Sequence, residues 1–598
     1  MILQALVRYY ETLVNLGKVT GEGWCRAKTS YALDIGLDGT LYQIISLKIP
    51  EERGKKTVEV PQLLVVPQQA SRAAGVSSNF LCDNSKYLLG IDGEGEFKIH
   101  EKRFQGAKEK HLEILKETGS EAAMAVRAFF ESWNPETAAA HPAIAPFLEE
   151  IGAAPNLVFR YKDSYVHTDP EIKAAWESYR TRTEEGEFGI CMVTGAKKQI
   201  ARTHGLIRGV QGAQPSGAAI VSFNSPAFCS YGKEQNYNAP VGNEAVNAYT
   251  AALNYMLAER QHVCQLGDTT VVYWAESGEE TYQMTFESAM MPSQEQSAQE
   301  RLDGIFQSLA SGKAVDLTGI SFSEKFYVLG LAPNAARLAV NFFYQDNFGN
   351  ILRHVKEHYD RMEIIRPSVD GSKYLGVWRM LQETVNKKSR EKKPLPNLGG
   401  VVFRAILSGD RYPSALYQSV MGRIRAEQDD KDNHIYKITK GRAAIIKAYL
   451  LRNFEEYTKE EGITVALNEE SNNIPYTLGR TFAVLESIQQ DANPGINATI
   501  KDRYFNSACA TPASIFPILF KLKNSHIRKI DSPKLQVWYE KLLQNILEKL
   551  SLENGETLAY PRRLTLEEQG MFVLGYYHQM QKKYEKKVKE ETSDVRAD

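Results

Sequence analysis

The pattern of hydrophobic residues changes part-way along the chain, and this change most constrains the possible fold. Before about residue 340, short stretches rich in β-branched and aromatic residues, such as residues 269–274, lie between glycine-containing turns, as is typical of strands. Beyond it, nearly every segment has the composition of a helix, with interruptions at Pro367, Pro394, Pro396 and Pro413. We therefore predict an α+β fold, with a mixed, partly β-rich N-terminal part and a helical-bundle C-terminal part.

This division predicts three regions: α+β domains over residues 1–340, a helical connecting region over 341–475, and a C-terminal helical bundle over 476–598. Within the first region, further strands are predicted at residues 42–48, 57–60, 157–161, 187–193 and 325–331, and helices at 1–20, 105–150 and 245–260.

The composition is that of a globular protein, with 43% hydrophobic and 24% charged residues among 598. The formal net charge is -1. A free-standing nucleic-acid-binding protein usually carries a basic excess, so the near-zero charge counts against that class but leaves room for local basic surfaces.

The six cysteines show no paired spacing, which argues against a structural zinc site or a disulfide framework. Scattered, reduced thiols are typical of the cytoplasm. The N-terminus does not resemble a signal peptide, and no stretch approaches the roughly 18–20 apolar residues that span a bilayer. We expect a cytoplasmic protein without a membrane segment.

Motifs of common enzyme classes are missing, including the P-loop and the G-x-S-x-G elbow. One pattern remains: His354 and His358 fit H-x-x-E-H, which places both imidazoles on one helix face and would suit a zinc metallopeptidase. The neighbouring Arg353, Lys356 and Asp360 instead suggest a solvated helix face. We expect no catalysis, no metal and no cofactor, and retain the metallopeptidase as a remote alternative.

Two polar segments could bind nucleic acid. The first, residues 67–87, supplies amides and cations at Arg72, Asn79, Asn84 and Lys86, where amides could contact base edges and cations could contact phosphates. The alternative is that its Asn and Ser residues only form turns and caps.

The second segment, residues 195–237, combines cations with a Gly/Ser/Gln-rich loop and exposes backbone N–H groups where glycine lacks a Cβ. Aromatic residues at Phe228, Tyr231 and Tyr237 could stack on unpaired bases. A protein-binding surface is the open alternative. Its candidate side chains are Lys197, Lys198, Arg202, Arg208, Gln214, Ser216, Asn224, Lys233 and Gln235.

Several long strings resemble the large subunit of the type I-C CRISPR Cascade surveillance complex. The longest, residues 476–512, contains Tyr-Thr-Leu-Gly-Arg and Asn-Pro-Gly-Ile-Asn. Shorter matching strings lie at residues 79–84, 212–218, 221–228, 230–235 and 326–338. The resemblance runs from the first helix to the last, and the length fits.

The resemblance implies a non-catalytic subunit that recognises the protospacer-adjacent motif in duplex DNA, assists R-loop formation, and contacts the displaced strand. The implied partners are a crRNA with its backbone subunits, a crRNA-processing endonuclease subunit, small subunits, and a helicase–nuclease that is recruited to the target. The first polar segment is our first choice for motif reading. The second is our second choice for motif, strand-separation or backbone contacts. A purely architectural subunit, bridging the crRNA 5′ handle and the helicase–nuclease, is the alternative.

The C-terminal part resembles the Cascade small subunit, which type I-C systems also produce from an internal start. No methionine lies between residues 476 and 484, so a non-AUG codon at Leu478 or Val484 would have to serve. Cations in this part could follow the displaced strand, although a solvated helix face is the competing interpretation. They are Arg480, Lys501, Arg503, Lys521, Lys523, Arg528 and Lys529.

Overall fold

The computed structural model describes residues 1–53, 56–69, 76–93, 97–183, 187–311, 320–366, 370–430, 432–458, 462–550 and 560–582. The chain forms two compact units. The first contains residues 1–205 and 221–253, and the second contains residues 206–220 and the chain from 254 onward. The predicted divisions at residues 340 and 475 both fall inside the second unit, and they stay predictions.

The first unit contains thirteen of the strands of the described chain. They are β1 (Trp24–Thr29), β2 (Tyr31–Ile35), β3 (Leu41–Ser46), β4 (Ile49–Arg53), β5 (Lys56–Val60), β6 (Gln62–Pro67), β7 (Cys82–Asn84), β8 (Ile91–Asp92), β9 (Lys98–Ile99), β10 (Asn156–Tyr161), β11 (Ser164–Tyr165), β12 (Phe188–Ile190) and β13 (Lys197–Gln199). Its helices are α1 (Ile2–Asn15), α2 (Ser85–Leu88), α3 (Glu101–Leu115), α4 (Glu121–Ser132), α5 (Pro135–Ala138), α6 (Leu148–Gly152), α7 (Pro170–Thr183) and most of α8 (Asn243–Ala258).

The second unit combines one antiparallel sheet with many helices. Its strands are β14 (Val263–Leu266), β15 (Thr269–Ala275), β16 (Lys325–Asn334) and β17 (Arg337–Asn347). Its helices are α9 (Glu280–Met290), α10 (Gln296–Ser311), α11 (Phe348–Met362), α12 (Val377–Gln382), α13 (Leu398–Ser408), α14 (Ser414–Ala426), α15 (Lys440–Asn453), α16 (Ile474–Ala492), α17 (Ile500–Ala510), α18 (Pro512–Ile527), α19 (Pro533–Glu548) and α20 (Leu566–Gln581).

Strand β10 organises the core of the first unit. It pairs in parallel with β2 and antiparallel with β7 and β11. Leu157, Val158 and Phe159 are fully buried along it. Phe129 and Phe130 of α4 meet Phe159 edge to face, at centroid distances of 5.2 and 5.7 Å, an arrangement that aromatic pairs prefer. The apolar run at residues 157–161 therefore forms the predicted strand because the sheet and α4 enclose it.

The second unit's sheet has the order β14-β15-β16-β17, all antiparallel. Every residue of β15 is buried, which explains its unbroken Thr-Thr-Val-Val-Tyr-Trp-Ala run. Beyond Asn347 the named elements of the described chain are all helices. The predicted fold class, α+β followed by a helical part, is confirmed.

Helices α16 and α20 form a close pair in the C-terminal part, and glycines allow it. A Cβ on Gly479 would lie 2.0 Å from the carbonyl oxygen of Phe572. A Cβ on Gly575 would lie 2.0 Å from the carbonyl oxygen of Tyr476. Both distances are far below van der Waals contact, so the two backbones approach as closely as they do because neither position has a side chain.

The buried side chain of Arg442 connects helix α15 to three neighbouring segments of the second unit. The Arg442 side chain is fully buried, and its Nη2 lies 2.7 Å from a carboxylate oxygen of Glu427. Its other nitrogens donate to the carbonyl oxygens of Glu383, Tyr436 and Lys437. Such a pair stabilises the fold only while both partners are present, because either charge alone would be uncompensated.

Two further findings bear on the sequence predictions. All six cysteines have free thiols. Within the described residues, no helix combines the length and apolar character needed to cross a bilayer.

The second unit buries two histidines, His358 and His578, and their protonation should make its stability depend on pH. Burial lowers the pKa of each to about 3, against about 6.5 in an unfolded chain. Between these values the unfolded chain binds protons that the folded chain does not, so stability is lost as the pH falls below about 6.5. We expect a change from about pH 7 to about pH 5 to lower the free energy of unfolding by about 2 kcal/mol per histidine.

Urea denaturation at the two pH values measures this loss. A His358→Gln variant should lose one histidine's share of the pH dependence. An unchanged pH dependence in that variant would show that His358 already binds a proton in the folded state.

Candidate nucleic-acid interface

A short hairpin in the first unit is tied to the start of α8. Strands β12 and β13 pair antiparallel, and the chain turns between them at residues 191–196, where Gly195 has φ +73°. The predicted strand at residues 187–193 is therefore shorter, ending at Ile190. Next to β13, the Ala201 N–H donates to the Val241 carbonyl at 2.9 Å, and the Asn243 amide donates to the Gln199 side chain at 2.8 Å. These bonds bring residues 197–202 beside residues 240–243.

The loop over residues 225–238 is fixed by one amide. The Asn238 Oδ1 accepts from the Ser230 N–H at 2.8 Å, and its Nδ2 donates to the Lys233 and Gln235 carbonyls at 3.0 and 2.8 Å. Tyr231 lies in this loop with φ +54° and a side chain that is 100% exposed. A non-glycine residue at positive φ is uncommon and needs such support. The loop therefore presents Tyr231 and Lys233 to solvent in a defined conformation.

Charged and amide side chains of the second polar segment meet here. The Arg202 Nε donates to the Gln235 Oε1 at 2.6 Å. Lys198 lies 2.8 Å from Glu244, and this hydrogen bond raises the pKa of Lys198. The exposed cations Lys197 and Lys233 form no ion pair with any described residue. Arg202, Lys197 and Lys233 thus keep N–H donors available for a ligand.

The same hairpin and loop also expose apolar side chains. Phe188, Ile190 and Met192 are each more than half exposed, and Phe228 is nearly half exposed. We call residues 188–204 and residues 224–240 the hairpin–loop surface; Asn224, within it, is exposed. Lys197 and Lys198 of this hairpin were predicted from the sequence, whereas its exposed apolar residues were not, although the alternation Phe-Gly-Ile-Cys-Met contained the signal. Cations beside exposed aromatic rings suit a surface that contacts both phosphates and bases.

Three predicted residues lie in the second unit instead. Arg208, Gln214 and Ser216 are exposed. The Arg208 Nε donates to the Ser216 carbonyl at 3.4 Å, and the Gly217 N–H closes a turn on the Gln214 carbonyl at 2.9 Å. The three form a small polar loop of their own.

The first polar segment is more enclosed. Arg72 lies outside the described residues. Asn79 is only 5% exposed, and its backbone N–H donates to Asp83 at 2.8 Å. Asn84 precedes helix α2, and its Oδ1 is buried without a hydrogen bond from the described residues. Lys86 forms an ion pair with Asp92, which also contacts His100 at 2.6 Å. As motif-reading residues, all four stay predictions.

The predicted displaced-strand cations divide into two groups. Arg480 is buried and donates to the carbonyls of Asn468 and Glu469 at 3.3 and 3.0 Å. The Lys501 and Lys523 side chains are largely buried, and they form ion pairs with Asp429 and Glu540, respectively. The exposed group consists of Arg503, Lys521, Arg528 and Lys529.

Helix α11 holds His354 and His358 one turn apart, as the H-x-x-E-H pattern requires. Their Nδ1 atoms lie 2.6 Å from the Leu407 carbonyl and the Tyr412 hydroxyl, respectively. Glu357 faces Arg361 and Arg452 at 3.7 and 3.8 Å. In the part of the chain that the structure describes, no group of three His, Cys, Asp or Glu side chains is arranged to hold a metal ion. The two histidine contacts connect α11 to α13 and to the segment between α13 and α14.

Comparison with known proteins gives the family. A family model described as CRISPR-associated protein (Cas_Csd1) matches residues 6–584. The chain belongs to this family. No curated protein matches it in sequence.

The structure of this member of the Cas_Csd1 family shows what the longest matching string forms. The string over residues 476–512 forms α16, a turn at Gly495 with φ +80°, and α17. A capping box formed by Thr499 and Asp502 starts α17 and satisfies N–H groups that the first helical turn leaves free. In this CRISPR-associated protein, the most distinctive string therefore forms packed helices and a helix cap, whereas the exposed cations Lys197, Arg202 and Lys233 lie on the hairpin–loop surface.

Proposed function

We propose that this CRISPR-associated protein is the non-catalytic large subunit of a type I-C, RNA-guided Cascade complex. In that role it recognises the protospacer-adjacent motif in duplex DNA, assists R-loop formation and contacts the displaced strand. The observation that carries the proposal is the hairpin–loop surface, where Lys197, Arg202 and Lys233 lie with the exposed Tyr231 on anchored backbone.

This division of labour has a physical basis. Guide pairing reads a long target, so the protein needs to read only a short duplex element and to supply backbone contacts. Cations on phosphates set the register of the duplex, and amides or aromatic rings then contact the bases. The hairpin–loop surface has both kinds of group. The net charge of -1 fits a chain in which one surface meets DNA and others meet protein.

The partners proposed are a crRNA with its backbone subunits, the endonuclease subunit at the crRNA 5′ handle, small subunits, and a helicase–nuclease. Among the predicted motif-reading groups, exposure favours the second polar segment. Asn79 would need the local backbone to rearrange before its amide could reach a base edge, because the side chain is buried.

Binding of the assembled complex to duplex DNA tests the proposal. We expect a duplex with the correct motif to bind more tightly than one with a scrambled motif at the same guide-matched sequence. Both affinities should fall steeply with salt. Neither nucleotide hydrolysis nor DNA cleavage is expected from the complex without its helicase–nuclease.

The architectural alternative predicts equal affinity for the two duplexes, and that result would replace motif recognition by a bridging role. The metallopeptidase alternative predicts stoichiometric zinc in the purified chain. Elemental analysis decides it, and His354→Ala would then release the metal.

A further inference from the structure

Helix α19 in the second unit exposes a tryptophan that the proposed contacts do not use. Trp538 and Val537 are each 54% exposed. Lys534, Lys541, Gln544 and Asn545 are exposed at the helical spacings that place them on the same side. We call these six residues the Trp538 face. Tryptophan is enriched at binding surfaces relative to the rest of the protein surface.

The buried side of α19 fixes this face in place. Tyr539, Leu543 and Ile546 are buried, and the Tyr539 hydroxyl donates to Asp491 of α16 at 2.6 Å. Lys523 of α18 lies 2.8 Å from Glu540. Since these contacts hold α19 from the opposite side, Trp538 is available without any rearrangement of the helix.

Charge indicates which ligand fits. Residues 512–550, which contain α18 and α19, carry seven Lys or Arg and three Asp or Glu, in a chain whose net charge is -1. Glu540 is neutralised by Lys523, whereas Lys534 and Lys541 form no ion pair within the described residues. Two lysines without ion pairs beside an exposed aromatic ring suit a polyanion with flat, apolar groups.

We propose that the Trp538 face binds single-stranded DNA, with a base stacked on Trp538 and phosphates contacted by Lys534 and Lys541. Every base has a π-face, so this mode of binding is tolerant of sequence. The proposed function supplies the strand, namely the displaced strand of the R-loop. The binding chemistry itself requires neither motif nor guide.

The test compares two fluorescent strands of equal length, oligothymidine and an abasic oligonucleotide, by anisotropy with the full chain. We expect Trp538→Ala to weaken oligothymidine binding about tenfold, because stacking on that base is lost. The abasic strand should bind wild type and variant equally. Trp538→Phe should restore most of the affinity, since a ring remains.

The chain offers a matched control in Trp378, which lies on α12 of the same unit and is 52% exposed. Trp378→Ala should bind oligothymidine as wild type does. Replacing Lys534 and Lys541 by alanine should weaken both strands and lower the slope of log K against log salt by about 1.4.

The proposal is overturned if Trp538→Ala leaves oligothymidine binding unchanged, or if it weakens both strands alike. A variant with a changed sedimentation coefficient and unchanged DNA binding would assign the face to a second copy of the chain instead. The two oligonucleotides contain no motif. A negative result with them would therefore contradict binding by the Trp538 face and leave motif recognition, which the duplex comparison measures, unaffected.

Discussion

Replacing Lys197, Arg202 and Lys233 together by alanine is expected to weaken binding of the complex to motif-containing duplex about a hundredfold at physiological salt. Each phosphate contact on duplex DNA contributes about 0.9 to the slope of log K against log salt concentration. At physiological salt, this corresponds to about fivefold in affinity per contact. The three cations lie on the hairpin–loop surface of one unit. The slope of log K against log salt should fall by roughly 2.7, as measured by filter binding across a salt series.

The control removes the same charges elsewhere in the first unit. Lys102, Lys116 and Arg182 are exposed and lie on or beside helices α3 and α7. Their replacement by alanine should leave both the affinity and the slope within about twofold of wild type. If the two triple variants behave alike, the hairpin–loop surface makes no special contact with DNA, and the site assignment is wrong.

Replacing Gly479 by alanine is expected to have the largest effect on stability, a loss of about 4 kcal/mol or more in the free energy of unfolding. The new methyl would lie 2.0 Å from the Phe572 carbonyl oxygen. Backbone atoms at this contact cannot move aside as a flexible side chain could. Helices α16 and α20 would separate, and Gly575→Ala should act in the same way because its Cβ meets the Tyr476 carbonyl.

Gly422 provides the matched control for this prediction. It lies within α14 of the same unit, and a Cβ there has no atom within 4 Å. Gly422→Ala should leave stability unchanged or raise it by up to about 1 kcal/mol, because alanine favours the helix. Urea denaturation measures all three variants. A Gly479→Ala protein as stable as Gly422→Ala would contradict the close approach of α16 and α20.

The fold was predictable where one local pattern determined the element. The apolar runs of β10, β15 and β16 and the helical spacing of α8 are such cases, because burial of these residues requires no knowledge of distant segments. Of the hairpin β12–β13, only the first strand was predicted, and it was predicted to extend to residue 193. The strand ends earlier because the chain turns at residues 191–196, where Gly195 has a positive φ.

The candidate site was predictable in composition and not in arrangement. The meeting of residues 197–202 with residues 240–243 depends on hydrogen bonds across about 40 residues, which no local pattern encodes. Polar residue type also does not distinguish exposed from buried positions. Arg480 could have been recognised as buried, because α16 is apolar on nearly all sides. Trp538 could have been found from Lys534, Val537, Trp538 and Lys541 at helical spacing.

Site-specific photocrosslinking tests the central claim most directly. A photoreactive phenylalanine derivative placed at Tyr231 preserves a fully exposed aromatic ring on the hairpin–loop surface. The same derivative at Tyr42, which is 64% exposed in the same unit, provides the control. In the complex on a guide-matched duplex, we predict that position 231 crosslinks to DNA at the motif and that scrambling the motif removes the crosslink. Crosslinks from position 231 that are absent, or equal on the scrambled duplex, would contradict motif recognition by this surface.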